Sequence, residues 1–295
     1  MTRLFSRRLA RFLVAFVVGW LVSGPAAWAD EGAFADLPGV RLWYTDTGGN
    51  GTPLILLHAN TGTSTSWVKQ TDALAKNGYR VIAFDRRGWG KSEANATTGP
   101  QPGSVAGDLH ALVDHLKLPK FYLVGVAGGG FSSLDYAAWH PERVIAMVVA
   151  ASSARLDSEK EMRDITARID MPDRRKQPVL YMEVSPAFRA ADPEGTEQWI
   201  ANEKQAKQPG AADQPLRTLN TYAKLESIPV PTLVIAGGAD LIAPPALMQV
   251  WARHVKGSEF ASISDAGHAV NWEKPAEFNA AVLSFLQRHP ASSAR

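Results

Sequence analysis

The stretch Leu123-Val124-Gly125-Val126-Ala127-Gly128-Gly129-Gly130-Phe131 constrains the fold more than any other part of the chain. The apolar run from Lys120 to Val124 predicts a short strand, and helical spacing then carries from near Gly128 through Asp135, Tyr136 and Trp139 to His140-Pro141. The glycines between them permit a corner too tight for side chains. Glycine two residues before and two residues after a central position is the spacing of a nucleophile elbow, G-x-S-x-G. The central residue here is Ala127, whose methyl group neither attacks nor accepts a proton. Ser132 and Ser133 lie more than a turn into the helix, so packing or capping explains them better than a displaced nucleophile does.

A strand followed by a helix needs more of the same on both sides. Val40 to Thr45 alternates apolar and polar residues before Gly48-Gly49-Asn50-Gly51, which suits a hairpin near a sheet edge. Pro53 to His58 and Tyr79 to Phe84 are continuous apolar runs, as expected of strands buried on both faces. Trp67, Leu74 and Ala75 recur at helical spacing between them. Ser104 opens a further helix with Val105, Leu109, Leu112, Val113 and Leu116 on one face. After a strand from Val144 to Val149 the pattern changes. Residues 152–222 are charged, helical and broken by Pro172, Pro178, Pro186, Pro193, Pro209 and Pro215. Strand and helix patterns resume at Pro231 to Gly237, Pro245 to His254, Glu259 to Ile263 and Pro275 to about Arg288. The fold class expected is α/β: a mostly parallel sheet flanked by helices, formed by 30–151 and 223–290, with a helical cap over 152–222 and a flexible tail at 291–295.

The first 29 residues read as a leader rather than as part of this sheet. Arg3, Arg7, Arg8 and Arg11 form a basic head, Phe12 to Val22 an apolar run, and Ala27-Trp28-Ala29 before Asp30 an A-x-A cleavage signal. The expectation is a periplasmic or secreted protein. Losing four arginines and no acid moves the formal charge from +2 to −2, a balance that implies no nucleic-acid or anionic-membrane partner. The absence of cysteine excludes disulfides, metal-thiolate sites and a Cys nucleophile, so the core alone must stabilise the chain. No metal motif, phosphate loop or dinucleotide fingerprint is present, so no cofactor is expected.

Two further stretches bear on chemistry. Gly237-Gly238-Ala239-Asp240 places a carboxylate just past the end of a buried strand, and Ala266-Gly267-His268 places a histidine after the last strand. With the elbow, with His58 after its strand and with the loop Asp85-Arg86-Arg87-Gly88-Trp89-Gly90-Lys91-Ser92, these motifs resemble the α/β-hydrolase superfamily across nearly all of the chain beyond the leader. The resemblance implies that Asp240 orients His268, that His268 is the general base, and that Ala127 stands at the nucleophile position. It further implies an oxyanion hole from the backbone N–H of Gly128 and one near Asn60. Ala59 departs from the Gly usual after His58. His58 either lines the pocket or hydrogen-bonds beneath it, and Asp85, Arg86 and Ser92 fix a loop rather than touch substrate. Trp67, Trp89, Trp139 and Trp272 read as core and pocket wall, and Arg163, Arg168, Arg174, Arg175 and Arg189 as a solvated cap surface that would otherwise favour an anionic substrate.

Three readings of Ala127 follow. An enzyme of this fold can use the His–Asp pair as a base toward water or a C–H bond, on a small ester, lactone or activated carbonyl substrate, by hydrolysis or by a lyase or isomerase step. A non-catalytic binding protein would keep the pocket without the chemistry. A serine replaced to inactivate a hydrolase is the third, and the intact leader argues against it. The sequence leaves substrate and oligomeric state open.

Overall fold

The computed structural model describes residues 32–170, 173 and 176–291, so the leader at 1–29, Pro172, Arg174, Arg175 and tail residues 292–295 lie outside the described residues. The strands are β1 (Gly32–Leu37), β2 (Val40–Asp46), β3 (Thr52–Leu57), β4 (Tyr79–Phe84), β5 (Glu93–Ala94), β6 (Phe121–Val126), β7 (Val144–Ala150), β8 (Thr232–Gly237) and β9 (Glu259–Ile263). The helices are α1 (Val68–Lys76), α2 (Val105–His115), α3 (Gly128–Trp139), α4 (Lys160–Ile169), α5 (Val179–Glu183), α6 (Pro186–Ala191), α7 (Pro193–Ala206), α8 (Tyr222–Glu226), α9 (Pro245–Ala252), α10 (Val270–Glu273) and α11 (Pro275–Arg288).

Among the described residues, nine strands form one sheet in the order β1-β2-β4-β3-β6-β7-β8-β9, with β5 against β2. From β4 to β9 every neighbouring pair is parallel; β1 and β2 run antiparallel at one edge. The turn Gly48 to Gly51 does not close the hairpin expected there. The hairpin joins β1 to β2 through Pro38-Gly39, with Gly39 at φ +80°, and β2 pairs with β4 rather than β3. The cause is burial: β3 is apolar on both faces and sits inside the sheet between β4 and β6, where both faces are covered.

Alternation along each strand divides the core in two. Ile55 and Leu57 of β3, with Ile82 and Phe84 of β4, pack with Leu109, Leu112 and Val113 of α2 and with α3 and α9. Leu54, Leu56, Val81 and Ala83 point the other way, onto α1 and onto Phe278, Val282, Phe285 and Leu286 of α11. The periods of 2 and 3.6 therefore meet across each face of the sheet.

Helices α4 to α8 fall between β7 and β8. A third, smaller cluster joins Val184, Phe188 and Trp199 of this segment to Ala269 and Trp272 beside α10. Polar contacts hold the segment's far end: Gln208 Nε2 donates to the carbonyls of Gly90 (2.9 Å) and Ser92 (2.8 Å), and Gln214 Nε2 to Asp108 Oδ2 (2.8 Å). Asp108 is itself buried against Arg87 at 2.6 Å, so its charge is paired. No described helix is long and apolar enough to cross a membrane, and no three described His, Asp or Glu side chains are grouped to hold a metal.

Candidate active site

At the corner between β6 and α3, Ala127 adopts φ 51°, ψ −110°, a region that L residues rarely occupy. Its backbone is held from both sides. The N–H donates to Ala150 O (2.9 Å), at the end of β7, and the carbonyl accepts from Ser152 Oγ (2.9 Å) and from the N–H groups of Gly130 (3.0 Å) and Phe131 (3.2 Å). The flanking glycines are required by contact. A Cβ on Gly129 would strike the Leu57 carbonyl, and one on Gly125 would strike Gly129 O and Ser133 Oγ. As the first residue of α3, Gly128 presents an N–H with no carbonyl four residues back inside the helix, at the positive end of the helix dipole. Ser132 Oγ and Ser133 Oγ donate to the carbonyls of Gly128 (2.9 Å) and Gly129 (2.8 Å) within the helix, and neither caps it.

Asp240 follows β8 and His268 follows β9, adjacent parallel strands, so the two loops emerge side by side. His268 Nδ1 lies 2.8 Å from Asp240 Oδ2, and Asp240 Oδ1 accepts from the N–H groups of Ile242 (2.7 Å) and Ala243 (2.9 Å). Burial pushes the Asp240 carboxyl up. The His268 charge and these hydrogen bonds outweigh it and hold the group below the ordinary carboxylate value. An ionised acceptor fixes the proton on Nδ1 and makes Nε2 the basic nitrogen. Glu273 steadies the loop: its carboxylate accepts from Gly267 N–H (3.0 Å) and Ser185 N–H (3.1 Å), which joins α6 to the His268 loop.

The third part follows β3. His58 is buried, its Nδ1 donating to Ala59 O (2.7 Å) and its Nε2 accepting from Arg86 N–H (3.0 Å). Burial and the nearby Arg86 hold it well below the ordinary histidine value, so the ring is neutral. His58 borders the pocket, but with both ring nitrogens taken by backbone it positions the loop; the ring has no donor left for a substrate. Asn60 lies against Gly128, where a Cβ would meet its Oδ1, and its carbonyl accepts from Trp89 Nε1 (2.7 Å). Asp85 acts within the loop as expected, accepting from Ser64 N–H (2.7 Å) and Lys91 N–H (2.8 Å), while Ser92 Oγ donates to Asp85 O (2.7 Å).

The structure therefore gathers Asp240 with His268, and Asn60 with Gly128 and Ala127. The pocket bordered by His58, Trp67, His268 and Trp272 also holds Glu183, from the end of α5. Glu183 Oε2 accepts from Thr61 Oγ1 (2.7 Å), and burial pushes its carboxyl up while the neighbouring His268 pulls it down. Sequence reasoning passed over Glu183. Its only signal was a lone acid in the apolar run Val179-Leu180-Tyr181-Met182-Glu183-Val184.

A model of the alpha/beta hydrolase family matches residues 54–281. A 3-oxoadipate enol-lactonase from Acinetobacter baylyi is 28% identical, over 84% of this chain and 94% of its own length. A 2-hydroxy-6-oxononadienedioate/2-hydroxy-6-oxononatrienedioate hydrolase from Burkholderia vietnamiensis is 27% identical, over 84% and 92%. Among solved structures, a thermophilic esterase from Thermogutta terrifontis superposes with a TM-score of 0.73 at 26% identity, covering 87% of this chain and 99% of that one.

Proposed function

Since this chain belongs to the alpha/beta hydrolase family, we propose that it hydrolyses a small ester, lactone or activated carbonyl compound, with His268–Asp240 as general base and without a covalent serine. The observation that carries the reading is the buried pair itself, His268 Nδ1 to Asp240 Oδ2 at 2.8 Å, with His268 in a pocket that also touches Val126, the residue before the bend at Ala127. The relatives named for an enol-lactone and for a 2-hydroxy-6-oxo-dienedioate support the reaction class. In this mechanism His268 Nε2 takes a proton from a water whose oxygen bonds to the carbonyl carbon. The negative oxygen that develops is held by the N–H groups of Gly128 and Asn60. Collapse of the intermediate breaks the bond to the leaving group, which receives the proton from His268.

Glu183 favours one second reading. A buried carboxyl in the same pocket as His268, its proton affinity raised by desolvation, offers the second proton-transfer group that a lyase or isomerase step requires. Glu183→Gln would then reduce turnover about as severely as loss of His268.

The test is hydrolysis of a short-chain activated ester by the natural chain, His268→Ala and Ala127→Ser. The expected outcome is turnover that falls by about 10³-fold or more in His268→Ala. Undiminished turnover in that variant overturns the base assignment. Activity confined to Ala127→Ser instead favours a ligand-binding protein. Export through residues 1–29 belongs to the same proposal: the mature chain isolated from the periplasm or medium should begin at Asp30, and a cytoplasmic chain still carrying Arg3 would refute it.

A further inference from the structure

Arg86 is buried, with 4% of its surface exposed, yet it forms no ion pair among the described residues. Only Nη1 has a partner, Asn60 Oδ1 at 3.0 Å; Nε and Nη2 have none. The guanidinium lies 4.2 Å from the centroid of the Trp89 ring, a contact that offsets only part of the desolvation of a full charge. Burial lowers its pKa to about 10, so it stays protonated at neutral pH. Arg87 next to it shows what a satisfied buried arginine looks like in the same loop, paired with Asp108 at 2.6 Å.

The Arg86 side chain borders a cavity of about 280 Å³, roomy enough for a small organic acid, shared with Asn60, Phe131, Arg155, Asp213 and Gln214, while Nε and Nη2 themselves are covered by protein. Arg155 stands over Phe131 at 5.4 Å and brings a second positive charge to the rim. The acid at this cavity, Asp213, is exposed, is held by Lys207 Nζ at 2.7 Å and offsets part of the Arg86 charge, and Arg155 Nε lies 4.0 Å from Asp157 Oδ2; three cations thus face two acids. The local balance is positive. Arg86 Nη1 also lies 3.3 Å from where a Cβ on Gly128 would stand, and Asn60 lines the cavity, so the cavity adjoins the residues whose N–H groups the proposed mechanism uses.

We propose that Arg86, with Arg155 at the rim, is a subsite for a carboxylate, and that the carbonyl substrate is an anion whose acid group lodges there. The specificity statement rests on the hydrolase reading above; the binding statement does not. A buried guanidinium attracts a carboxylate with little competition from water, and a turn of its plane toward the cavity would bring Nε and Nη2, which no protein group holds, to the two oxygens. A neutral ester would leave the charge unpaired.

The test is calorimetric titration with succinate and, in parallel, dimethyl succinate, on the natural chain, Arg86→Gln and Arg155→Gln. Succinate should bind saturably to the natural chain, about tenfold or more weaker to Arg86→Gln and a few-fold weaker to Arg155→Gln; the diester should show no such differences. Arg155 is exposed, so its variant supplies the reading if Arg86→Gln does not fold. No succinate binding, equal binding of acid and diester, or equal binding by natural chain and folded variants overturns the subsite. The two proposals fail separately. Turnover lost in His268→Ala with no succinate binding retains the base and removes the subsite. Arginine-dependent succinate binding with turnover unchanged in His268→Ala does the reverse.

Discussion

Ala127 holds a backbone conformation that costs an L residue about 1–3 kcal/mol, and it forms no side-chain hydrogen bond that offsets this. The cost is borne by the surroundings, through Ala150 O, Ser152 Oγ and the first turn of α3. Glycine tolerates positive φ, so Ala127→Gly should raise stability by about 1 kcal/mol even after the extra freedom that it gives the unfolded chain. Urea denaturation checks this; an unchanged or lower midpoint would mean that the alanine is not strained. The residue scale is also where the sequence was least legible. His58, Arg86 and Glu183 are ordinary letters in their runs, and what separates them is the state of their hydrogen bonds. His58 has both nitrogens satisfied, Arg86 has two unpaired, and Glu183 shares a pocket with His268, from a loop 85 residues further along the chain. None of this is local, and so no local pattern announces it.

Elements were far easier to read, because their signals are local and their burial is nearly complete. β4, β9 and α11 begin and end where the apolar runs and prolines place them, and Ser104 caps α2 by accepting from Gly107 N–H at 3.1 Å. The hairpin lies before β2 rather than at the turn Gly48 to Gly51, because a glycine turn reports only that the chain reverses. Which strand it then joins depends on how many faces that strand must bury. Packing of α3 onto β3 depends on the absence of one carbon. Gly129→Ala should cost about 3 kcal/mol, since the contact is with the Leu57 carbonyl in the middle of the sheet and neither backbone can yield. In a chain of this size that lowers the melting temperature by roughly 6–12 °C. A smaller loss would show that the helix can shift, and the corner at Ala127 with it.

At the scale of the whole molecule, stability follows the protons that the fold refuses or retains. His58 lies below its ordinary value of 6.5 in the folded chain, because burial opposes its charge. The sign follows from that depression. Its stabilising contribution is whole above about pH 6.5 and is lost as pH falls, because the unfolded chain takes up a proton that the fold excludes, at up to about 1.4 kcal/mol per pH unit. Asp85, Glu183 and Glu273, raised by burial, act in the opposite sense on acidification, so the difference between variants isolates the histidine. Between pH 7 and 5, urea stability of His58→Gln should fall less steeply than that of the natural chain; parallel slopes would mean that His58 protonates in place. The corner at Ala127 has a consequence of another kind. Alanine and serine codons of the GCN and TCN sets differ by a single base, and the backbone here already has the bend that a serine at this position requires. A lineage carrying this chain stands one point mutation from a protein with a hydroxyl at the elbow, with no intermediate genotype that must first rebuild the turn.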